Sequence, residues 1–244
     1  MTVKEHYDNH LGNFYSWYTG DFDKNKDSFK AFCLDNDIKP GDSKYAIDLG
    51  AGNGIQTIAL ADLGFKVKAI DFNCQLIAEL KSRINNHPIE VFNDDIKLVS
   101  KYSQPQPELI VCCGDTLPHL DSFAEVQKLI KDSFDILSPN GRLILTFRDY
   151  STELEDTNRF IPVKSDSQRI LTCFIEYFID KLRVTDLLHE YENGKWIQKA
   201  SSYYKTRISR ELVLGFLKDS GFNISFDNIV NRMITIIGQK NNVC

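Results

Sequence analysis

Along the first 150 residues, short apolar runs alternate with amphipathic stretches, a pattern that predicts parallel strands connected by helices. Residues 45–49 form an apolar run broken by Asp48, residues 65–71 alternate apolar and charged positions before ending on Asp71, and residues 89–92 make a third run. After Glu108, residues 109–113 are all apolar, as expected of a central parallel strand covered on both faces. A fifth strand is predicted over 142–147, entered through Pro139-Asn140-Gly141. Helices are predicted over 56–63, stopped by Gly64, over 73–85, and from Ser122 to about residue 137, with Ser122 and Glu125 at capping-box spacing.

The ends of the chain complete this pattern. A helix over 209–220 stopped by Gly221, then a hairpin of 222–229 and 233–238 turned at Asn231-Arg232, bring the strand number to seven. The fold class is therefore α/β, a doubly wound seven-stranded Rossmann-like sheet. After the fifth strand, β-rich runs over 169–178, 182–191 and 196–206 predict an antiparallel insertion roofing the site, its last two runs joined at Asn193-Gly194, a preferred type I′ turn. Ahead of the first strand, residues 10–23 gather Phe14, Tyr15, Trp17 and Tyr18, either a helix docked on the core or a lid over a small ligand. Residues 24–36 read as a further helix. Four segments result: an N-terminal helical lid (1–43), a core (44–150), the β insertion (151–208) and a closing helix and hairpin (209–244).

Chemistry concentrates at Asp48-Leu49-Gly50-Ala51-Gly52-Asn53-Gly54-Ile55, a strand end running through alternate glycines into a helix. Such a turn lets a ligand approach the main chain and offers it the N–H groups of a helix start. A dinucleotide turn wants G-x-G-x-x-G. Here Ile55 fills the place of that third glycine, which disfavours a pyrophosphate and an NAD-dependent oxidoreductase. Asp71 lies about 20 residues beyond the turn, where an acid at a strand end accepts both hydroxyls of a ribose. It could alternatively cap the helix that follows.

The D-x-G-x-G-x-G arrangement resembles motif I of the class I S-adenosylmethionine (SAM)-dependent methyltransferases. That resemblance implies SAM as cofactor, S-adenosylhomocysteine as product, and an antiparallel seventh strand. It implies cofactor contacts at Trp17, Asp48, Gly50, Ala51, Gly52, Asp71, Phe72 and Cys113, and at Asp94, Asp95 and Ile96 after the third strand, with Asp95 fitting the adenine position better than Asp94. Trp17-Tyr18-Thr19-Gly20-Asp21, Cys113-Gly114-Asp115-Thr116-Leu117-Pro118-His119-Leu120 and Phe147-Arg148-Asp149-Tyr150 are similar to stretches of the glycine N-methyltransferase-like branch. Arg148 is thereby implied as a substrate-carboxylate clamp, its planar fork suited to that anion. Two departures turn the expectation away from glycine itself: Asp149 beside the arginine, expected to neutralise it, and Asp115 in place of an asparagine, which favours a cationic or hydroxyl-bearing acceptor.

The expected reaction is in-line methyl transfer to an N- or O-nucleophile of a small molecule, with Tyr18, Asp115 and His119 to position the acceptor or take its proton. Tyr204 is a second substrate contact; adjacent Tyr203 must face the other way. A catalytically silent SAM-binding protein would share every cofactor motif.

Composition narrows the partners. The 244 residues are 42% hydrophobic and 26% charged with net charge −5, which argues against a nucleic-acid backbone as partner. No run has the length of a signal peptide core or a membrane span, so a cytoplasmic protein without membrane association is expected. Six scattered cysteines show no paired C-x-x-C spacing, so neither disulfides nor a metal site is expected; Cys33, Cys74 and Cys173 read as core residues and Cys244 as tail. A catalytic cysteine with His119 lacks an activating environment.

Overall fold

The computed structural model describes residues 1–241; Cys244 lies outside them. Strands β1 (Tyr45–Leu49), β2 (Lys66–Asp71), β3 (Ile89–Asn93), β4 (Leu109–Cys112) and β5 (Arg142–Phe147) pair in parallel in the order β5-β4-β1-β2-β3. The sheet is extended past β5 by β11 (Met233–Lys240), antiparallel to β5, and then by β10 (Phe222–Val230). The seven-stranded sheet with an antiparallel seventh member is therefore present.

Both faces of its centre are covered, which explains the unbroken apolar runs. Ile47, Ile110, Cys112, Leu143 and Leu145 face one cluster, with residues of α6 (Phe123–Ile136), α7 (Arg210–Ser220) and the 3-10 turn Ile96–Tyr102. Ala46, Leu109, Val111, Cys113 and Ile144 face the other, against α3 (Phe22–Asp35) and α4 (Ile55–Asp62). The α5 helix (Cys74–Arg83) is capped by Asn73, whose side chain accepts from the Leu76 N–H at 2.9 Å. Cys74, expected in the core, is exposed at the first position of that helix.

Capping departs from the expected pattern in one place. The Ser122 hydroxyl accepts from the Glu125 N–H at 3.2 Å, but the Glu125 carboxylate returns to the Asp121 N–H rather than to Ser122. A complete capping box forms instead at Thr2 and Glu5, starting α1 (Val3–Asn9).

The insertion holds four strands rather than three: β6 (Phe160–Ser165), β7 (Arg169–Tyr177), β8 (Lys181–Glu192) and β9 (Lys195–Thr206), in sequential antiparallel order. Pro162 obscured β6, and proline is tolerated there because β6 is an edge strand with a register shift between Pro162 and Lys164. Alternate residues of β8, including Leu182, Val184, Asp186 and Leu188, are buried. That face receives the N-terminal segment: Leu11 and Phe14 pack with Leu171 and Leu188, and Val3 packs on Leu182, Val184 and Tyr203.

Candidate functional site

A cavity of about 560 Å³ lies where the carboxyl ends of β1 to β4 meet the N-terminal segment and the insertion. Its floor is Gly50 and Gly52, Asp71 and Phe72, Asn93 to Lys97, and Gly114 with Thr116 and His119. Tyr7 and Tyr15 contribute from the N-terminal side, Lys181 and Tyr204 from the insertion.

The three glycines of the turn do different jobs, although all have positive φ. A Cβ on Gly50 would stand 2.5 Å from the Thr116 methyl carbon, and one on Gly54 would stand 2.4 Å from Leu80 Cδ1, so these two positions admit neighbouring elements. Gly52 lines the cavity, and its N–H donates to Asp71 Oδ2 at 2.8 Å. The Asn73 N–H donates to the other oxygen, Oδ1, at 2.8 Å. Burial pushes the Asp71 carboxyl up and the backbone donors oppose it. The carboxylate thus ties the glycine turn to the end of β2 at the cavity wall, and the helix cap weighed for it is supplied by Asn73 instead.

Asp94, Asp95 and Ile96 all line the cavity. Asp94 is engaged by Lys101 and the Tyr102 hydroxyl, both at 2.7 Å, and these bonds pull its carboxyl down to about 2. Asp95 caps the 3-10 turn through the Lys97 N–H at 2.9 Å.

Four expected cofactor contacts do not line this cavity. Asp48 is buried beneath the turn, where the Thr57 hydroxyl donates to it at 2.6 Å. Ala51 packs with Ile58, Ala69 and Leu80, and the Cys113 side chain points into the core on the α3–α4 side of the sheet. Trp17 is turned to the insertion, donating to Asp166 with the Lys164 ammonium 5.3 Å from its ring, so it docks the lid rather than lining the cavity. Tyr15, two residues earlier at the start of the short helix α2 (Tyr15–Thr19), takes the lining position.

The acceptor-side candidates are also redistributed. Asp115 is buried and saturated: it accepts from the Arg148 N–H at 2.9 Å, Arg148 Nη1 at 3.3 Å, the Tyr150 hydroxyl at 2.6 Å and the Lys205 ammonium. Burial alone would raise its carboxyl, but Lys205 and Arg148 hold it below the usual range. Asp115 is therefore an ion-pair partner, not a proton acceptor. Arg148 is clamped by Asp115 and not by Asp149, whose carboxylate accepts from the Ser151 and Arg210 N–H groups. Tyr18 packs in the aromatic cluster with Tyr15, 6.1 Å between rings, outside the cavity wall. His119 does line the cavity. Burial, then Lys205, pushes its imidazole down to about 3, and its Nδ1 is buried without a protein partner. Tyr204 lines the cavity, while Tyr203 is buried between His6, at 4.2 Å, and His119, at 5.6 Å.

Sequence reasoning missed Tyr7, Thr116 and Lys205. Tyr7 arrives on α1, whose Thr2-Val3-Lys4-Glu5 start is a legible capping box. This helix bridges the two halves of the cavity. Asp8 accepts from the Asn73 side chain at 2.8 Å and Tyr7 meets Phe72 edge-on, while His6 Nδ1 lies 2.8 Å from the Ser201 hydroxyl of β9. His6 Nε2 stands 3.1 Å from Asp186 Oδ2 without hydrogen-bonding geometry. Lys205 carried no local signal.

Residues 46–141 match the family described as Methyltransferase domain. A glycine/sarcosine/dimethylglycine N-methyltransferase from Actinopolyspora halophila is 25% identical over 138 residues, which is 55% of this chain but only 24% of that protein. Among solved structures, a SAM-dependent methyltransferase from Clostridium acetobutylicum superposes with TM-score 0.71 at 18% identity, covering 97% of this chain and 96% of the other. A SAM-bound amino pentose methyltransferase from Micromonospora echinaspora superposes with TM-score 0.74 at 12% identity, covering 91% and 92%. Both superpositions are likenesses of fold.

Proposed function

From a core that belongs to the class I SAM-dependent methyltransferases, with SAM as the cofactor, we propose that this chain moves a methyl group to a nitrogen or oxygen nucleophile of a small molecule. The observation that carries the proposal is the single cavity in which the Gly50–Gly52 turn and Asp71 share a wall with Tyr7, His119 and Tyr204. Cofactor-contacting and acceptor-facing groups thereby border one space.

The residues fit the cofactor on two counts. The wall at Gly52 and Gly114 is bare backbone, and the carboxylate of Asp71 borders the same space. Asp71 would hold the ribose, Gly52 would admit the amino-acid end, and Phe72, Asp95 and Ile96 would border the adenine. When bound, SAM supplies a methyl on a sulfonium, an electrophile already activated.

The chain's own work is alignment and exclusion of water. Tyr7 and Tyr15, whose phenols burial keeps protonated, and Tyr204 wall the acceptor half. His119 borders that wall; its Nδ1 is buried behind it, and its other ring nitrogen, Nε2, would offer one hydrogen bond to the acceptor. With its imidazole pushed down to about 3, His119 is neutral at pH 7 and a weak base. It orients a nucleophile that arrives deprotonated.

Calorimetric titration with S-adenosylhomocysteine, with NAD as control, tests the cofactor half. Saturable binding of the former alone is expected, and binding of NAD alone overturns the proposal. A screen of small amines and hydroxyl compounds for release of S-adenosylhomocysteine tests the acceptor half. Cofactor binding without any turnover favours the silent SAM-binding alternative.

A further inference from the structure

The buried group around Asp115 is an anion site with its anion built in. Two cations from different parts of the fold converge on this carboxylate, Arg148 at the end of β5 and Lys205 near the end of β9, and the Tyr150 hydroxyl adds a third donor. Lys205 is 6% exposed, and Asp115 is the acid that faces it. Asp115 holds this position at φ +68, in the left-handed region that disfavours a side chain. Its neighbours Gly114 and Thr116 line the cavity, and Tyr203, on the same face of β9 as Lys205, packs on the cavity-lining His119, so the ion pair stands behind that wall.

We propose that Asp115 is a specificity-determining residue: its carboxylate occupies the Arg148–Lys205 site, and the methyl acceptor is consequently an amine or hydroxyl compound that brings no carboxylate of its own there. A free carboxylate would have to displace a tethered one whose effective concentration is far higher. Removing Asp115 leaves Lys205 buried without a counter-charge, a strongly unfavourable state that a small carboxylate can relieve. The statement about the acceptor rests on the methyltransferase reading. The anion site does not, and its test reads stability rather than turnover.

Asp115→Gly suits the positive φ and opens a space of carboxylate size. Its thermal midpoint is expected to fall by roughly 5–15 °C, as loss of one partner of a buried pair implies. Sodium formate should raise that midpoint saturably, while sodium chloride at equal ionic strength does not. The wild type and the Asp115→Gly/Lys205→Met variant should show no saturable response to formate. Formate stabilising the wild type as much as Asp115→Gly, or leaving a folded Asp115→Gly unchanged, overturns the proposal.

Asp115→Asn gives a second arm that does not depend on Asp115→Gly folding, because asparagine fills the same space and tolerates the left-handed region. Its midpoint should fall, and adding Lys205→Met should recover most of the loss. An Asp115→Asn protein as stable as the wild type overturns the assignment. S-adenosylhomocysteine titration of each variant reports separately on the cofactor half. Retained binding there, with formate rescue but no methyl transfer by the wild type to any acceptor, would sink the methyltransferase reading and leave the anion site standing.

Discussion

Two carboxylates at the ends of neighbouring strands show how environment divides residues of one type. Asp71 borders the cavity and is held by two backbone N–H groups. Asp71→Ala is expected to weaken S-adenosylhomocysteine binding by about 1.5–3 kcal/mol, the scale of a hydrogen bond to a charged group. Calorimetry on the folded variant checks this, and unchanged affinity removes Asp71 from the cofactor site. Asp48 sits beneath the turn, where burial pushes its carboxyl up to about 7 despite the hydrogen bond from Thr57. The unfolded chain releases that proton near its ordinary value of about 3.9, so between these values the native state binds it more tightly. The stability contributed is fully present below about pH 4 and is lost as pH rises through about 7. Comparing wild type with Asp48→Asn by denaturant unfolding should show the Asn variant gaining relative stability across that window. A pH-independent difference would mean that Asp48 stays ionised when folded. At this scale the sequence marked both acids, but it could not say which bordered the cavity and which faced Thr57.

At the scale of elements, glycine tolerance separates packing from propensity. A Cβ at Gly54 would stand 2.4 Å from Leu80 Cδ1 at φ +97, so Gly54→Ala is expected to cost about 2–4 kcal/mol through overpacking and left-handed strain. Gly215 lies inside α7 with nothing within 4 Å of a built Cβ. There Gly215→Ala should stabilise by about 0.5–1 kcal/mol, because alanine loses less backbone freedom in a helix. Chemical denaturation of the two variants gives opposite signs if this contrast holds, and matching signs would refute it. The strands β1 to β5 were legible because burial on both faces leaves continuous apolar runs. The edge strand β6 was not, since Pro162 interrupts its short apolar run, Phe160 to Val163, and none of its positions is fully buried. The α1 helix escaped because only its capping box announced it.

For the whole molecule, α1 is the strap joining core and insertion across the cavity. It reaches the core through Asp8–Asn73 and the insertion through His6, Ser201 and Asp186. Deleting residues 1–9 is expected to weaken S-adenosylhomocysteine binding by about tenfold or more, equivalent to about 1.4 kcal/mol, while leaving the seven-stranded sheet folded. Circular dichroism with calorimetry checks both halves; unaltered affinity would show that the strap is not part of the cofactor enclosure. No described helix is long and apolar enough to cross a membrane. The sequence by itself determined the sheet, the glycine turn and Asp71, because these depend on local periodicity and on backbone geometry that only certain residues permit. Tertiary structure alone decided that Asp115 pairs with Lys205, 90 residues away, that Arg148 answers to Asp115 and not Asp149, and that Tyr7 rather than Trp17 or Tyr18 faces the cavity. The physical reason is that the charge state and accessibility of a side chain are set by neighbours brought together in space, which no spacing along the chain encodes.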